Sequence, residues 1–525
     1  MISPSLVILL FSTCAQESPG TPEPEPDSID RFEIVIAPAI RRELQEAGSA
    51  ARLVILLDDE TGDGSEGGEP SPSLLAPQPV LSWSLEESTP AWSPDGTGLS
   101  VLGPGLAWPV PADDLDGRFR AMAVVKLPGT PPGLGAVGDL LGPVTMIDLD
   151  SSRTDRPRLE LDRIVEPPKS PTHPDLIPIE RPSSRLPAVD GVPGRHRAWV
   201  VLPDGYDDIR NPRRYWPVTY VIPDREPPEV VALRLATLAE RAELKDIIPN
   251  CLWVVVDPMG RWGHHYCIDS ETNGDRGTAL VEELIPWLDV RFRTIPEPEA
   301  RLVMGRGAGG RAALELLSRH PERFGRCWSI SPDAIGFDHL GLLDLYRDED
   351  AFVEEGGRLR PAARTPLGPE RDLIHARLRD EIQLTRTLDP DGRSGWIWDA
   401  RRAAFGDNGA RPSLPPLPFD PDTGRIDLLV ASDWSVRDLL ARTRRSAELR
   451  TLLLERALVL VGERDEYYRE QGVLALADVL GVDPSERGSS VRIIPEATAG
   501  TVSALGRMDV YDGISAYLEE RGLQD

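Results

Sequence analysis

The chain has 525 residues, too many for one ordinary hydrophobic core, so two or three domains are expected. With 40% apolar and 27% charged residues its composition is globular, and a formal charge of −28 sets it against nucleic acid and anionic lipid, which it would repel. No C-x-x-C pair or Cys/His cluster has zinc spacing, and neither a metal nor a cofactor is expected.

The chain opens MISPSLVILLFSTCA, an apolar run followed by small residues. Residues 1–15 read as a signal peptide, with Thr13-Cys14-Ala15 as the cleavage region or Cys14 as a lipid-bearing cysteine. The expected location is therefore secreted, periplasmic or cell-envelope, lipoprotein included. No other segment approaches the ~18 apolar residues of a membrane span. Residues 16–30 form an acidic, proline-rich tether that cannot bury enough apolar surface to order itself. Over 31–165 short apolar runs such as Phe32–Ile36, Leu53–Leu57 and Phe119–Val125 alternate with Gly, Pro and Asp clusters, which predicts a small β-sandwich-like domain. Proline-rich residues 166–194 read as a linker. Among the cysteines, Cys251, Cys267 and Cys327 read as buried thiols, with a Cys251–Cys267 bridge as the alternative.

From 195 to 525 the pattern is α/β. Continuous β-branched strands (Ala198–Leu202, Val218–Ile222, Leu252–Val256, Leu302–Met304, Arg326–Ile330, Ala457–Val461) alternate with amphipathic helices. That predicts a mostly parallel sheet with helices on both faces. The rhythm breaks at about 337–450, a stretch rich in Arg, Pro and Asp with a helix over about 370–387, which reads as an insertion over one end of the sheet.

The strand–turn–helix segment Arg301-Leu-Val-Met-Gly-Arg-Gly-Ala-Gly-Gly-Arg-Ala-Ala-Leu314 has the layout of a nucleophile elbow, G-x-S-x-G, with Gly307 where the serine would stand. It lies within an ordered series. The series starts at Gly263-His-His-Tyr-Cys-Ile-Asp-Ser-Glu-Thr-Asn-Gly-Asp-Arg-Gly277 and continues through His320-Pro-Glu-Arg-Phe324 and Cys327-Trp-Ser-Ile-Ser-Pro-Asp333. It ends at Val461-Gly-Glu-Arg-Asp-Glu-Tyr-Tyr468. The series resembles the putative-esterase (esterase D-like) family of α/β-hydrolases, which includes S-formylglutathione hydrolases, feruloyl esterases, enterochelin esterases and antigen 85-type acyltransferases.

The resemblance implies an α/β-hydrolase fold with a serine nucleophile, a late acid and a histidine nearer the C-terminus. Here the nucleophile position is Gly307, the acid maps to Asp465 as a relic, and no histidine follows it; the seven histidines end at His375. Ala308 takes the oxyanion-hole position. The second donor would come from Pro223-Asp-Arg-Glu-Pro-Pro228, where proline has no N–H and Asp224 or Glu226 would repel an oxyanion. Cys267, Ser270, Ser329 and Ser331 are the other nucleophile types in the resembling segments, and packing accounts for each. His264, His265, Asp269, Asn273, Trp328 and Asp333 are the candidate pocket residues, with local loop stabilisation as the alternative for the histidines. These features predict a catalytically degenerate member that binds a small molecule, a glycan or a protein. The competing expectations are an active ester hydrolase with a displaced nucleophile and base, and a structural cell-envelope protein.

Overall fold

The computed structural model describes residues 32–523 apart from 48–49, 60–69, 86–90, 93–96, 101–104, 150–155, 169–170, 189–192, 209–212, 241–247, 369–370 and 408–413. The expected signal peptide with Cys14 and the tether at 16–30 lie outside these residues.

Eight strands build the sheet of the C-terminal part: β1 (Leu176–Pro182), β2 (Arg195–Val201), β3 (Val218–Ile222), β4 (Leu252–Val256), β5 (Arg301–Arg306), β6 (Arg326–Ile330), β7 (Ala457–Gly462) and β8 (Val491–Ile494). Their spatial order is β1-β2-β4-β3-β5-β6-β7-β8. β3 to β8 pair in parallel, while β2 is antiparallel to both β1 and β4. The central strands are apolar throughout because both faces are covered. One face (Val218, Tyr220, Val254, Val303) packs on Leu280, Leu288, Ala312 and Leu316. The other (Val221, Val255, Leu302, Met304) packs on Ala232 and Leu235 of helix α1 (Pro228–Glu240) and on Ile514 and Leu518 near the C-terminus. The chain is thus α/β, as the periodicity indicates.

The proline-rich stretch 166–194 departs from the expected linker. Within it, β1 pairs with β2 over seven residues from Leu176↔Val201 to Pro182↔Arg195. Pro178 and Pro182 are tolerated because β1 is an edge strand, where a missing N–H faces no partner. The region 337–450 also holds more than helices. A hairpin of Pro361–Gly368 and Arg371–Arg377 precedes the helix Leu378–Leu388, so the first part of the predicted 370–387 helix is strand.

Ahead of β1 two sheets share one apolar core. One has the order Arg158–Leu161, Glu33–Ile36, Gly98–Ser100, Ala91–Trp92; the larger centres on Gly117–Lys126 and Arg52–Asp59. Ile34 and Ile36 meet Leu53, Ile55, Leu57 and Val125 between them. The intervening Val54 and Leu56 face the other way, onto Leu384, Leu388 and Trp396 of the 337–450 region. That double burial is why 53–57 reads as an unbroken apolar run rather than an alternating one.

Cys251, Cys267 and Cys327 are all free and buried, so there is no Cys251–Cys267 bridge. Burial pushes the Cys251 and Cys267 thiols up to about 12, which keeps them protonated and unreactive. Native alkylation is therefore expected to miss all three, and unfolding without reductant to expose them; a native adduct on any of them would contradict this.

Candidate functional site at the end of the parallel strands

At the end of β5 the backbone turns through Gly307 at φ 57°, ψ −123° into helix α2 (Ala308–Arg319). A left-handed φ of this kind costs a side-chain-bearing residue of order 1–3 kcal/mol, and glycine relieves it. Strand and helix meet closely here. A Cβ on Gly305 would overlap the Gly309 carbonyl, and one on Gly309 would overlap the Ile222 carbonyl. The elbow expected from the glycine pattern is thus present in the backbone.

Gly307 carries no side chain, and a carboxylate lies beside it. A Cβ at Gly307 would lie 2.5 Å from Asp224 Cγ and nearer still to Oδ2. Asp224 sits in the loop between β3 and α1, and its Oδ1 accepts the Ala308 N–H at 3.2 Å. Asp224, expected from its charge to repel an oxyanion, thus accepts the Ala308 N–H and fills the space beside Gly307. Arg469 Nη2 lies 3.9 Å from Asp224 Oδ2. Burial opposes the charge on Arg469, but Asp465 and Asp224 outweigh it and hold the guanidinium protonated.

Asp465 follows β7 and is fully buried. Its Oδ1 accepts the Tyr467 N–H at 2.9 Å, while Oδ2 is buried with no hydrogen-bond partner. Burial raises its pKa. An acid that had lost the histidine it once oriented would be left in this state. After β8 the turn Pro495-Glu496-Ala497 supplies no imidazole.

A cavity of about 510 Å³ lies at the carboxyl ends of β3, β5 and β6, where open α/β sheets bind ligands. Pro72, Ser73 and Leu74 from the N-terminal part and Leu378, Trp396, Trp398 and Arg401 from the 337–450 region also line it. Of the candidate pocket residues, Asp333 lines it. Asp333 accepts from Tyr266 Oη at 2.7 Å and from Arg401 through Nη2 at 2.5 Å and Nε at 3.3 Å. Burial works against this carboxylate, but Arg401 outweighs it and holds the pKa below the ordinary value.

The other candidates are placed elsewhere. Trp328 packs in the core edge-on to Tyr517. Asp269 Oδ1 accepts the Gly277 and Thr278 N–H groups, capping the helical run 276–292. Asn273 is buried beside Ser270 and Arg276. His264 Nδ1 accepts the Tyr266 N–H at 3.0 Å, so the proton is on Nε2, which donates to the Pro223 carbonyl at 3.0 Å. His265 Nδ1 likewise accepts the Cys267 N–H at 3.1 Å. Burial lowers both imidazoles' pKa values and favours their neutral forms, and each Nδ1 is held by a loop N–H.

The other nucleophile types in the resembling segments are buried, and two of them are hydrogen-bonded to backbone carbonyls. Ser270 Oγ donates to the Ala403 carbonyl and Ser329 Oγ to the Gly310 carbonyl, while Ser331 is fully buried. The histidine that lines the cavity is His339, whose Nδ1 is 3.0 Å from Asp338 Oδ1. Sequence reasoning passed over it, along with Arg225, Arg306, Arg401 and Arg469. Only Arg306, inside the elbow, carried a positional signal.

Residues 263–358 match the model of the family described as "Putative esterase". This stretch is an esterase-family segment. It holds the elbow and Asp333, whereas Asp224, Arg401, Asp465 and Arg469 fall outside it. Among solved structures the chain is similar to a ferulic acid esterase at 12% identity and a TM-score of 0.38, covering 65% of this chain and 96% of that one. It is also similar to an S-formylglutathione hydrolase from Agrobacterium tumefaciens (11%, 0.36, covering 66% and 94%). A third is fluorophosphonate-binding serine hydrolase F of Staphylococcus aureus (9%, 0.33, covering 67% and 98%). Likenesses this weak carry no argument beyond themselves. No curated protein matches the sequence. No helix among the described residues is long and apolar enough to cross a membrane.

Proposed function

We propose that the chain is an exported, non-catalytic esterase-family protein whose cleft binds a ligand, with a β-sandwich-like domain over 31–165 ahead of its α/β-hydrolase domain. One observation supports the loss of catalysis above the rest. Asp224 occupies both the space a side chain at Gly307 would fill and the N–H of Ala308. A substrate carbonyl has neither a nucleophile nor that donor. The unpartnered Oδ2 of Asp465 supports the same reading. Export rests on the apolar run and small residues at 1–15.

The test is hydrolysis of short chromogenic acyl esters by the purified protein. The expected rate does not exceed that of a background-protein control, and a fluorophosphonate probe leaves the chain unlabelled. Serine hydrolases stripped of triad members keep only ~10³–10⁴-fold catalysis over water, much of it from the oxyanion hole, which is occupied here. Turnover at about 1 s⁻¹ or faster, within the ordinary enzyme range and abolished by a serine-directed phosphonate, overturns the reading.

A further inference from the structure

We propose that the cavity is a receptor for a small organic anion, a carboxylate or phosphate on a flat apolar body, recognised through Arg225, Arg306 and Arg469. The inference rests on the binding reading above and names the ligand's chemistry.

In a chain of net charge −28, the cavity lining carries six arginines against four acidic residues. Three of the arginines are already used. Arg401 pairs with Asp333 and Arg234 with Glu226, while Arg360 is spent on Asp348 and on the Ala351 and Val353 carbonyls. Of the other three, Arg225 and Arg306 have no ion-pair partner among the described residues and Arg469 is only partly satisfied, by Asp224 and Asp465. Arg306, exposed at the end of β5, makes no hydrogen bond or ion pair among the described residues. Arg225 is exposed and lies 4.7 Å over the Trp396 ring, also without a hydrogen bond or ion pair among them. The Arg469 side chain is 10% exposed, yet its Nε is buried without a partner. Buried polar groups almost always have partners, so an orphaned guanidinium N–H beside a cavity points to a missing acceptor.

The local anion preference is visible in the chain itself. Asp224 sits on the first N–H of helix α2, where backbone donors and the helix dipole favour negative charge. Asp224 and Asp465 act on Arg469, which leaves Arg225 and Arg306 without a carboxylate partner among the described residues. Of the other acids, Asp333 and Glu226 are paired, and burial favours the neutral form of Glu381. Guanidinium forks match planar carboxylate or tetrahedral phosphate oxygens in pairs, so the surplus selects an oxyanion rather than a halide. Trp396 and Tyr467 add aromatic lining suited to a flat body, and about 510 Å³ is the size of an ordinary small-molecule site.

The experiment is calorimetric titration of the full chain with three probes of one shape: benzoate, phenyl phosphate and neutral benzamide. At least one anion is expected to bind at least roughly tenfold tighter than benzamide, and to weaken as sodium chloride rises. Which anion binds better tells carboxylate from phosphate. Arg225→Gln/Arg306→Gln, at two exposed positions, is expected to fold as the wild type by its melt and to lose the anion preference. Benzamide binding as tightly as the anions overturns the anion inference and leaves the ligand-binding reading standing. Anion binding unchanged in the double variant places the ions elsewhere and overturns it too, and no binding by any probe up to about 10 mM, tenfold above the roughly 1 mM dissociation constant of a weak site, overturns it outright.

Discussion

Glu315→Ala is expected to lower stability by about 3–5 kcal/mol, the range for breaking a buried ion pair from one side. Glu315 lies on α2 behind the elbow and is 4% exposed. It accepts from Arg311 Nη1 at 2.9 Å, Arg319 Nε at 3.0 Å and Arg442 Nη1 at 2.9 and 3.0 Å. Arg442 belongs to the helix Leu439–Arg445, so this carboxylate ties the elbow helix to the 337–450 region. Its removal strands Arg311, itself fully buried, beside a second guanidinium. Chemical denaturation of wild type and variant measures the cost. A loss below about 1 kcal/mol, the value of an exposed pair, shows that water reaches the cluster and the burial is wrong.

The same residue gives the stability a pH dependence. Burial alone would raise the Glu315 carboxyl, but Arg311, Arg442 and Arg319 outweigh it and hold it at about 2, against an ordinary 4.5. A carboxyl depressed in the folded state contributes its stability above the unfolded value and loses it as pH falls toward the folded one. Between pH 4.5 and about 2 the wild type should therefore lose stability that Glu315→Ala has already lost. The two are expected to converge on acidification.

The strands of the C-terminal sheet were legible because burial on both faces leaves almost nothing but β-branched and aromatic residues in them. Val218–Ile222 and Leu252–Val256 fall on the predicted runs residue for residue. β1 was not legible, because Pro178 and Pro182 read as loop until the edge position of the strand is known. The hairpin at 361–377 escaped for a related reason. Its strands carry buried Arg364, half-buried Asp372 and exposed Arg371 rather than an apolar alternation. In the site, a glycine at the elbow and the lack of a histidine after His375 are readable as single letters, and Asp333 came with the resembling segment. Asp224 stands out in the sequence for its charge; that its carboxylate accepts the Ala308 N–H depends on the approach of the β3–α1 loop, which no local pattern gives. Arg401 and Arg469 reach the site from 337–450 and from beyond β7, and no local spacing announces such a convergence.

Gly307→Ser is expected to destabilise the chain and to leave it without esterase activity. The backbone at Gly307 has φ 57° and ψ −123°, which costs a non-glycine residue of order 1–3 kcal/mol. The new Cβ also has to displace the Asp224 carboxylate, 2.5 Å away at Cγ, from the Ala308 N–H and from the neighbourhood of Arg469. At about 2–4 °C per kcal/mol for a large domain, the strain alone lowers the melting temperature by several degrees. Asp224→Gly added to Gly307→Ser should recover the part due to the clash and none due to the strain, so the two costs separate in a double-mutant cycle. Activity should return in neither variant. A serine hydroxyl with no base to take its proton remains a weak nucleophile at neutral pH, and both nitrogens of His264 are committed to the loop. His339, on the cavity wall beside Asp338, is the imidazole that could challenge this. Burst hydrolysis by the double variant that disappears with His339→Gln would make His339 a usable base and the site two substitutions from catalysis. An unchanged melting temperature for Gly307→Ser would mean that neither the strain nor the Asp224 overlap exists, and the case for an occupied oxyanion hole would fall with them.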